Sequence, residues 1–358
     1  MLLLNPGPVT VSERVRGSLA QPDLCHRESE FFDLQDEARA RLLAVYGLDA
    51  GQWSAVLMTA SGTGAVESMM ASLVPRMGRV LVVDNGVYGE RIAQICAQYQ
   101  IAHERLTGEW LAAPDVAAIR TRLQGAPAGT RFTHLAIVHH ETTTGRLNDL
   151  QPLSQLCAEQ GAQLLVDGVS SFGAERIDFT DPTLTAVAGT ANKCLHGVPG
   201  IAFVIVRASS LATAESRTYY LDLARLARAQ QQRNTPFTPA VQACYALVEA
   251  LREYHEQGGR SARHHRYAQL AEQVRAGLAV LRVQPLIAPE HSSVVLRAYR
   301  LPERLGYQRL HDALKQDGFV IYAGQGRLAP SLFRISTMGE LTTADMDRLL
   351  AGVGRLLQ

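Results

Sequence analysis

Lys193 stands in the run Ala188-Gly-Thr-Ala-Asn-Lys193-Cys-Leu-His-Gly-Val-Pro-Gly200, between the apolar stretches Leu184–Ala188 and Ile201–Val206. Such stretches read as buried strands, so the loop between them presents its lysine at a sheet edge with poor access to water. Burial disfavours the ammonium form and lowers its pKa, the condition that a Schiff-base lysine requires. Four further turns carry polar groups at the ends of strand-like runs. Asp167 closes the apolar Leu-Leu-Val-Asp. A carboxylate there is costly unless it meets a cation or a strong donor such as a protonated pyridine nitrogen. Ser61, Gly62 and Thr63 lie between a strand and a helix, where N–H groups, hydroxyls and the helix dipole suit a phosphate. Tyr88, in Asn85-Gly-Val-Tyr-Gly-Glu-Arg91, is suited to stacking on a flat ring, and Thr142 to donating to a ring oxygen. Lysine, pyridinium partner, phosphate cradle and stacking ring together describe a site for pyridoxal 5′-phosphate (PLP).

Other readings of the same residues stay open. Ser61-Gly-Thr-Gly64 before a helix, with Asp84 at a distance suited to a ribose, also fits dinucleotide binding. Against it, the third glycine of that fingerprint would fall at Glu67, and Asp84 runs into another Gly-containing turn. Asp167 alone fits a helix N-cap or an ion pair, and Tyr88 alone fits simple packing. His139 and His140, adjacent on a strand, point to opposite faces and cannot chelate one metal together. The five cysteines, at 25, 96, 157, 194 and 244, are widely spaced with no CxxC pair. Neither a metal cluster nor a disulfide framework is expected, and a reducing cytoplasm fits best.

These groups need a sheet to gather them, and the chain supplies one. Strand-like Ala55–Thr59, Arg79–Asp84, His134–His139 and Gln163–Asp167 alternate with helical Ala65–Leu73, Glu90–Tyr99 and Leu153–Gln160. Alternation of this kind predicts an α/β fold with a mostly parallel central sheet covered by helices on both faces. Polar turns then fall outside the carboxyl ends of the strands, where such folds bind ligands. Before the sheet come a rigid arm, Asn5-Pro6-Gly7-Pro8, a short helix over Val11–Ala20 and a longer one over Glu28–Tyr46. After Val206 the pattern changes to a polar helix, Tyr219–Gln232, a loop, Asn234-Thr-Pro-Phe-Thr-Pro239, and a long helical stretch, Val241–Leu281, broken near Gly258-Gly259. The remainder reads as strand-like Ser292–Arg297, helical Tyr307–Gln316, strand-like Val320–Tyr322 and Leu332–Ser336, and a last helix opened by the capping box Thr342-Thr-Ala-Asp345. The predicted organisation is an N-terminal arm at 1–15, a large domain at 16–254 and a smaller C-terminal α+β domain at 255–358 completed by the arm.

Length and composition agree. The chain has 358 residues, 47% of them hydrophobic and 19% charged, which suits two domains of an ordinary globular protein. A formal charge of +1, with Lys and Arg scattered, predicts no nucleic-acid partner. The apolar start, Met-Leu-Leu-Leu, lacks a basic segment and is not read as a signal peptide, and no run approaches membrane-spanning length.

Taken together, these motifs resemble the class V aminotransferases of fold type I, and within them the branch acting on a phosphonate. The resemblance runs from end to end. It is carried by Leu4-Asn-Pro-Gly-Pro8, Ser61-Gly-Thr-Gly-Ala65, Asn85-Gly-Val-Tyr-Gly89, Glu141-Thr-Thr-Thr-Gly145, Val166-Asp-Gly-Val-Ser-Ser-Phe-Gly173, Ala191-Asn-Lys-Cys194, Gly197-Val-Pro-Gly200 and Phe333-Arg-Ile335. Ala-Asn-Lys-Cys with Gly-Val-Pro-Gly and Gly318-Phe-Val-Ile-Tyr322 suggests the phosphonate branch.

The resemblance implies that Lys193 carries the cofactor and shuttles a proton, and that Asp167 keeps its pyridine nitrogen protonated. It implies that Tyr88 stacks on the ring, that Thr142 contacts its oxygen, and that Ser61, Gly62 and Thr63 hold the phosphate. Thr238 would join the phosphate from a second subunit, which makes the enzyme a homodimer with shared active sites. Arg334 would bind the substrate anion. The implied reaction moves an amino group from 2-aminoethylphosphonate to pyruvate. One departure points elsewhere, since His26-Arg27-Glu28-x-Glu30-Phe31 is closer to alanine–glyoxylate and serine–glyoxylate members. An aminotransferase of that type is the alternative, followed by a non-catalytic PLP-binding protein. Cysteine desulfurase chemistry is disfavoured, because no cysteine lies in an evident mobile loop and Cys194 is expected to point away from its neighbour Lys193.

Overall fold

The structure, a computed structural model, describes residues 1–302 and 305–357. Its centre is a seven-stranded sheet formed, in chain order, by β1 (Trp53–Ala60), β2 (Arg79–Asp84), β3 (Ala102–Thr107), β4 (His134–Val138), β5 (Gln163–Asp167), β6 (Leu184–Thr190) and β7 (Gly200–Arg207). Across the sheet the order is β1-β7-β6-β5-β4-β2-β3. Neighbours pair in parallel except around β7, which runs antiparallel to both β1 and β6. The mostly parallel α/β architecture expected from the strand–turn–helix alternation is therefore present.

Period-two side-chain placement explains why the sheet is buried on both faces. Along β7, Ile201, Phe203 and Ile205 enter one apolar core, while Ala202, Val204 and Val206 enter the other. A third core joins Phe319, Phe333, Ile335, Leu349 and Val353 to Leu4 of the N-terminal segment. That segment is held by main-chain pairing. Leu2–Leu3 lies parallel to Phe319–Val320, and Ser336 N donates to Leu4 O at 2.8 Å.

Several elements differ from expectation, each for a physical reason. β3 and the helix Val116–Gly125 were not foreseen. β3 is an edge strand whose residues, Ala-His-Glu-Arg-Leu-Thr, are exposed or half-buried, so it lacks an apolar signature. The polar helix begins only at Leu223, where the Asp222 side chain caps Arg225 N at 3.0 Å. The strand expected at Ser292–Arg297 lies at Leu296–Arg300, paired with Leu332–Ser336. Ser293 and Val294 are instead drawn out of the sheet to hydrogen-bond the buried Glu175 carboxylate, at 2.5 and 3.0 Å. The capping box is present, with Asp345 accepting from Thr342 N at 2.9 Å and Thr342 Oγ1 accepting from Asp345 N at 3.2 Å. Among the described residues no helix is long and apolar enough to cross a membrane.

Candidate active site

The carboxyl ends of β1, β2, β5 and β6 open into one cleft, lined by Ser61, Gly62, Thr63, Tyr88, Asp167 and Lys193. Six residues from four separate turns thus meet where the strand order allows a ligand to enter.

Ser61 occupies the N-cap of the helix Gly62–Leu73 with extended backbone, and its side chain makes no capping hydrogen bond. The run read as a turn is therefore already the first helical turn, with its N–H groups and the Ser61 hydroxyl left for a ligand. Gly62 is required by closeness. A Cβ there would stand 2.5 Å from Val169 Cγ1, so any larger residue would push the helix end off the cleft wall.

Asp167 is buried, and one carboxylate oxygen accepts from Val169 N at 3.0 Å. Its Oδ2 has no hydrogen-bond partner among the described residues. Desolvation pushes its pKa above the usual carboxylate value, against the opposing pull of the Val169 N–H and the charges of Lys193 and Arg91. A protonated ring nitrogen at this position would supply the missing partner.

Lys193 is half-buried on the loop following β6, and its Nζ makes no hydrogen bond or ion pair among the described residues. Desolvation is the largest influence and lowers its pKa; the Arg334 charge acts in the same sense and Asp167 opposes. Below its ordinary value the amine is unprotonated for more of the time, which favours attack on a carbonyl. The loop is tied down from outside the cleft, since buried Arg263 donates to Cys194 O at 2.7 Å. Cys194 faces away, its Sγ 3.8 Å from Met338 Sδ. The N-terminal arm reaches Lys193 directly. A Cβ on Gly7, whose φ is +116°, would stand 3.2 Å from Lys193 Cε.

Three foreseen residues lie outside the cleft lining. Thr142 is buried behind it, with Oγ1 lacking a partner among the described residues. Arg334, buried on the strand Leu332–Ser336, donates from Nε to Ala323 O (2.8 Å) and from Nη1 to Thr142 O (3.0 Å) and Gln325 Oε1 (3.2 Å). Thr238 is exposed on the loop that lines a neighbouring apolar cavity with Phe237 and Tyr220. Arg27 also lies away from the cleft, hydrogen-bonded to Asn234 Oδ1 at 3.3 Å.

Three further residues belong to the region. Arg91 and Asn192 line the cleft. The signal for Arg91 is its place three residues after Tyr88 on one helix face. Glu141 is fully buried, its carboxylate accepting from Thr143 N (3.0 Å), Tyr88 N (3.1 Å) and Gly89 N (3.4 Å). Desolvation outweighs these bonds and raises its pKa to about 7. His139 and His140 are buried and bonded to Ser171 Oγ and Ser170 O, and among the described residues no acid, His and Cys cluster is arranged to hold a metal.

A helix N-terminus with free N–H groups, a buried carboxylate lacking one partner, a depressed lysine and an orphaned threonine hydroxyl fit a phosphorylated pyridine aldehyde. The family model of the class-V aminotransferases matches residues 13–349, and the chain belongs to that family. It is an aminotransferase, and its cofactor is PLP.

The chain is 36% identical over 360 residues to a 2-aminoethylphosphonate–pyruvate transaminase of Klebsiella pneumoniae, covering 98% of this chain and 96% of that protein. It is 34% identical over 363 residues to one from Vibrio vulnificus, covering 99% and 97%. The fold is also that of solved fold type I enzymes. An aspartate aminotransferase of subgroup IV from Thermus thermophilus superposes with a TM-score of 0.90 at 28% identity, over 100% of this chain and 99% of the other. An alanine–glyoxylate aminotransferase from Nostoc sp. superposes with a TM-score of 0.91 at 24% identity, over 100% and 95%.

Proposed function

We propose that the chain moves the amino group of 2-aminoethylphosphonate to pyruvate, giving phosphonoacetaldehyde and L-alanine in a reversible ping-pong reaction. Near-full-length similarity to transaminases of that name supports this reading. Arg334 is the single observation that carries it. Its guanidinium is buried, its hydrogen-bond acceptors are neutral oxygens, and it forms no ion pair among the described residues. A cation buried without a carboxylate is costly until an anion arrives. The planar fork suits a phosphonate in one half-reaction and a carboxylate in the other.

The bound cofactor supplies an electron sink for the carbon that loses its proton. Lys193 Nζ would hold the cofactor between turnovers and would move that proton. Asp167 keeps the pyridine nitrogen protonated. Tyr88 would pack on the ring, the unpartnered Thr142 Oγ1 would donate to its oxygen, and Ser61, Gly62 and Thr63 would hold the phosphate.

Exposure of Thr238 supports a homodimer in which this residue reaches the phosphate of the other copy. The same reading divides the chain into an arm at 1–15, a large domain at 16–254 and a small domain at 255–358, whose third apolar core is completed by Leu4 of the arm, and places the enzyme in the cytoplasm. Full activity in a monomer would remove the shared-site part of the proposal.

The test is product analysis with 2-aminoethylphosphonate and pyruvate together and singly. Equal amounts of phosphonoacetaldehyde and L-alanine are expected, and neither when one substrate is omitted. Amino transfer only from an α-amino acid such as L-alanine or L-serine, with glyoxylate as acceptor, would favour the alternative carried by His26-Arg27.

A further inference from the structure

Arg91 is the only arginine among the described residues of the cleft lining. It lies on the helix Val87–Gln98, and its Nη1 donates to Thr63 Oγ1 at 3.1 Å. Its guanidinium carbon stands 4.6 Å from the centre of the Tyr88 ring. Two neighbouring acids are engaged elsewhere, since Arg105 bridges Asp84 at 2.7 Å and Glu90 at 3.4 Å. Arg91 forms no ion pair among the described residues, and the one carboxylate that shares the cleft lining with it is Asp167, whose pKa its charge lowers.

The hydrogen bond to Thr63 has a direction. A guanidinium only donates, so it occupies a lone pair of Thr63 Oγ1 and leaves the hydroxyl hydrogen to point elsewhere. Thr63 is the second residue of the helix Gly62–Leu73, at the end where N–H groups are free. A phosphate monoester brings a charge of about −1.5 to −2 at neutral pH, while a helix N-terminus offers only about +0.5. Lys193 is committed to the cofactor's carbonyl carbon. A further positive charge at the cradle is what the electrostatics require.

We propose that Arg91 is a positioning residue for the cofactor's phosphate, which it neutralises while turning the Thr63 hydroxyl toward it. The proposal rests on the reading of Ser61–Thr63 as the phosphate cradle. It makes phosphate recognition span two helices, and it fixes Tyr88 and the cradle to one another through a single side chain.

Pyridoxal, which has the ring and aldehyde without the phosphate, separates these roles. Dissociation constants for PLP and pyridoxal are measured by absorbance on the cofactor-stripped full chain, for the wild type, Arg91→Gln, Arg91→Lys, Thr63→Val and the Arg91→Gln/Thr63→Val double variant. Wild type is expected to prefer PLP. Arg91→Gln should weaken PLP about 10- to 100-fold, the size of one charge-assisted hydrogen bond, and leave pyridoxal unchanged. Arg91→Lys should recover part of the loss, and the double variant should lose less than the product of the single effects. Equal weakening of PLP and pyridoxal in Arg91→Gln would reduce Arg91 to support for Tyr88 and overturn the proposal. So would a PLP preference that survives Arg91→Gln intact. A wild type that binds both ligands equally would overturn the cradle reading itself. If Arg91→Gln does not fold, Arg91→Lys decides by the same comparison, a loss confined to PLP supporting the proposal and an equal or absent loss rejecting it.

Discussion

Arg334 Nη1 donates to the main-chain oxygen of Thr142 at 3.0 Å. The residue proposed to take the substrate anion is thus bonded to the residue proposed to touch the cofactor's ring oxygen. The strand Leu332–Ser336 belongs to the small three-stranded sheet, while Thr142 follows β4 of the central one. In the proposed function, substrate and cofactor recognition are linked through this one hydrogen bond.

Replacement of Arg334 by Lys keeps a charge but removes the fork and the Thr142 contact. We expect kcat/KM to fall about 10- to 100-fold for 2-aminoethylphosphonate and for pyruvate alike, since the proposed function gives both half-reactions to this one cation. Steady-state kinetics with each substrate varied checks this. A loss confined to one substrate would require a second anion site.

Gly7 is where the arm meets Lys193. With φ at +116° and Lys193 Cε 3.2 Å from a hypothetical Cβ, Gly7→Ala strains the backbone and crowds the lysine together. We predict a stability loss of about 1–3 kcal/mol with a lower kcat, measured by denaturant unfolding and turnover. Unchanged kcat would mean that the arm only covers the site.

Glu141 makes stability depend on pH. Its folded pKa of about 7 lies above its ordinary value of 4.5, so between those limits the unfolded chain gives up a proton that the folded chain keeps. Stability should fall as pH rises from about 4.5 to 7, by about 3 kcal/mol in total, with no further change from this group above that range. Glu141→Gln should flatten this component. It should also cost about 1–3 kcal/mol, because both carboxylate oxygens accept backbone N–H bonds and an amide nitrogen cannot. Denaturant midpoints across pH for the two proteins test both statements.

Much of this site was readable in the chain because its residues close strand-like apolar runs, as Asp167 does, or open a helix, as Ser61–Thr63 do. Lys193 was legible by its loop between two such runs. What escaped was set by tertiary contact. Glu141 looks like a polar turn residue until the fold closes Gly86 over it, and a Cβ on Gly86 would meet its Cδ at 2.2 Å. Arg91 lay inside a recognised motif, but nothing local says that the acids near it are claimed by Arg105. Nor does local pattern say that Ser293 leaves its strand for Glu175, or that the polar edge strand β3 pairs with β2.

Asp167→Asn tests the electrostatic part of the site. The amide oxygen can still accept from Val169 N, but the negative charge that the proposed function sets against the ring nitrogen is lost. Turnover should fall about 100- to 1,000-fold, the usual cost of one preorganised electrostatic partner. The absorbance of Lys193-bound cofactor should persist, whereas Lys193→Ala should abolish it.

The most direct measurement of the central claim is a half-reaction. The PLP form of the enzyme is mixed separately with 2-aminoethylphosphonate, L-alanine and L-serine without any 2-oxo acid, and conversion of the cofactor to pyridoxamine phosphate is followed by absorbance. The proposed function predicts rapid conversion by 2-aminoethylphosphonate and by L-alanine, the two amino compounds of the reversible reaction, and a much slower response to L-serine. Conversion by the α-amino acids with no response to 2-aminoethylphosphonate would contradict it.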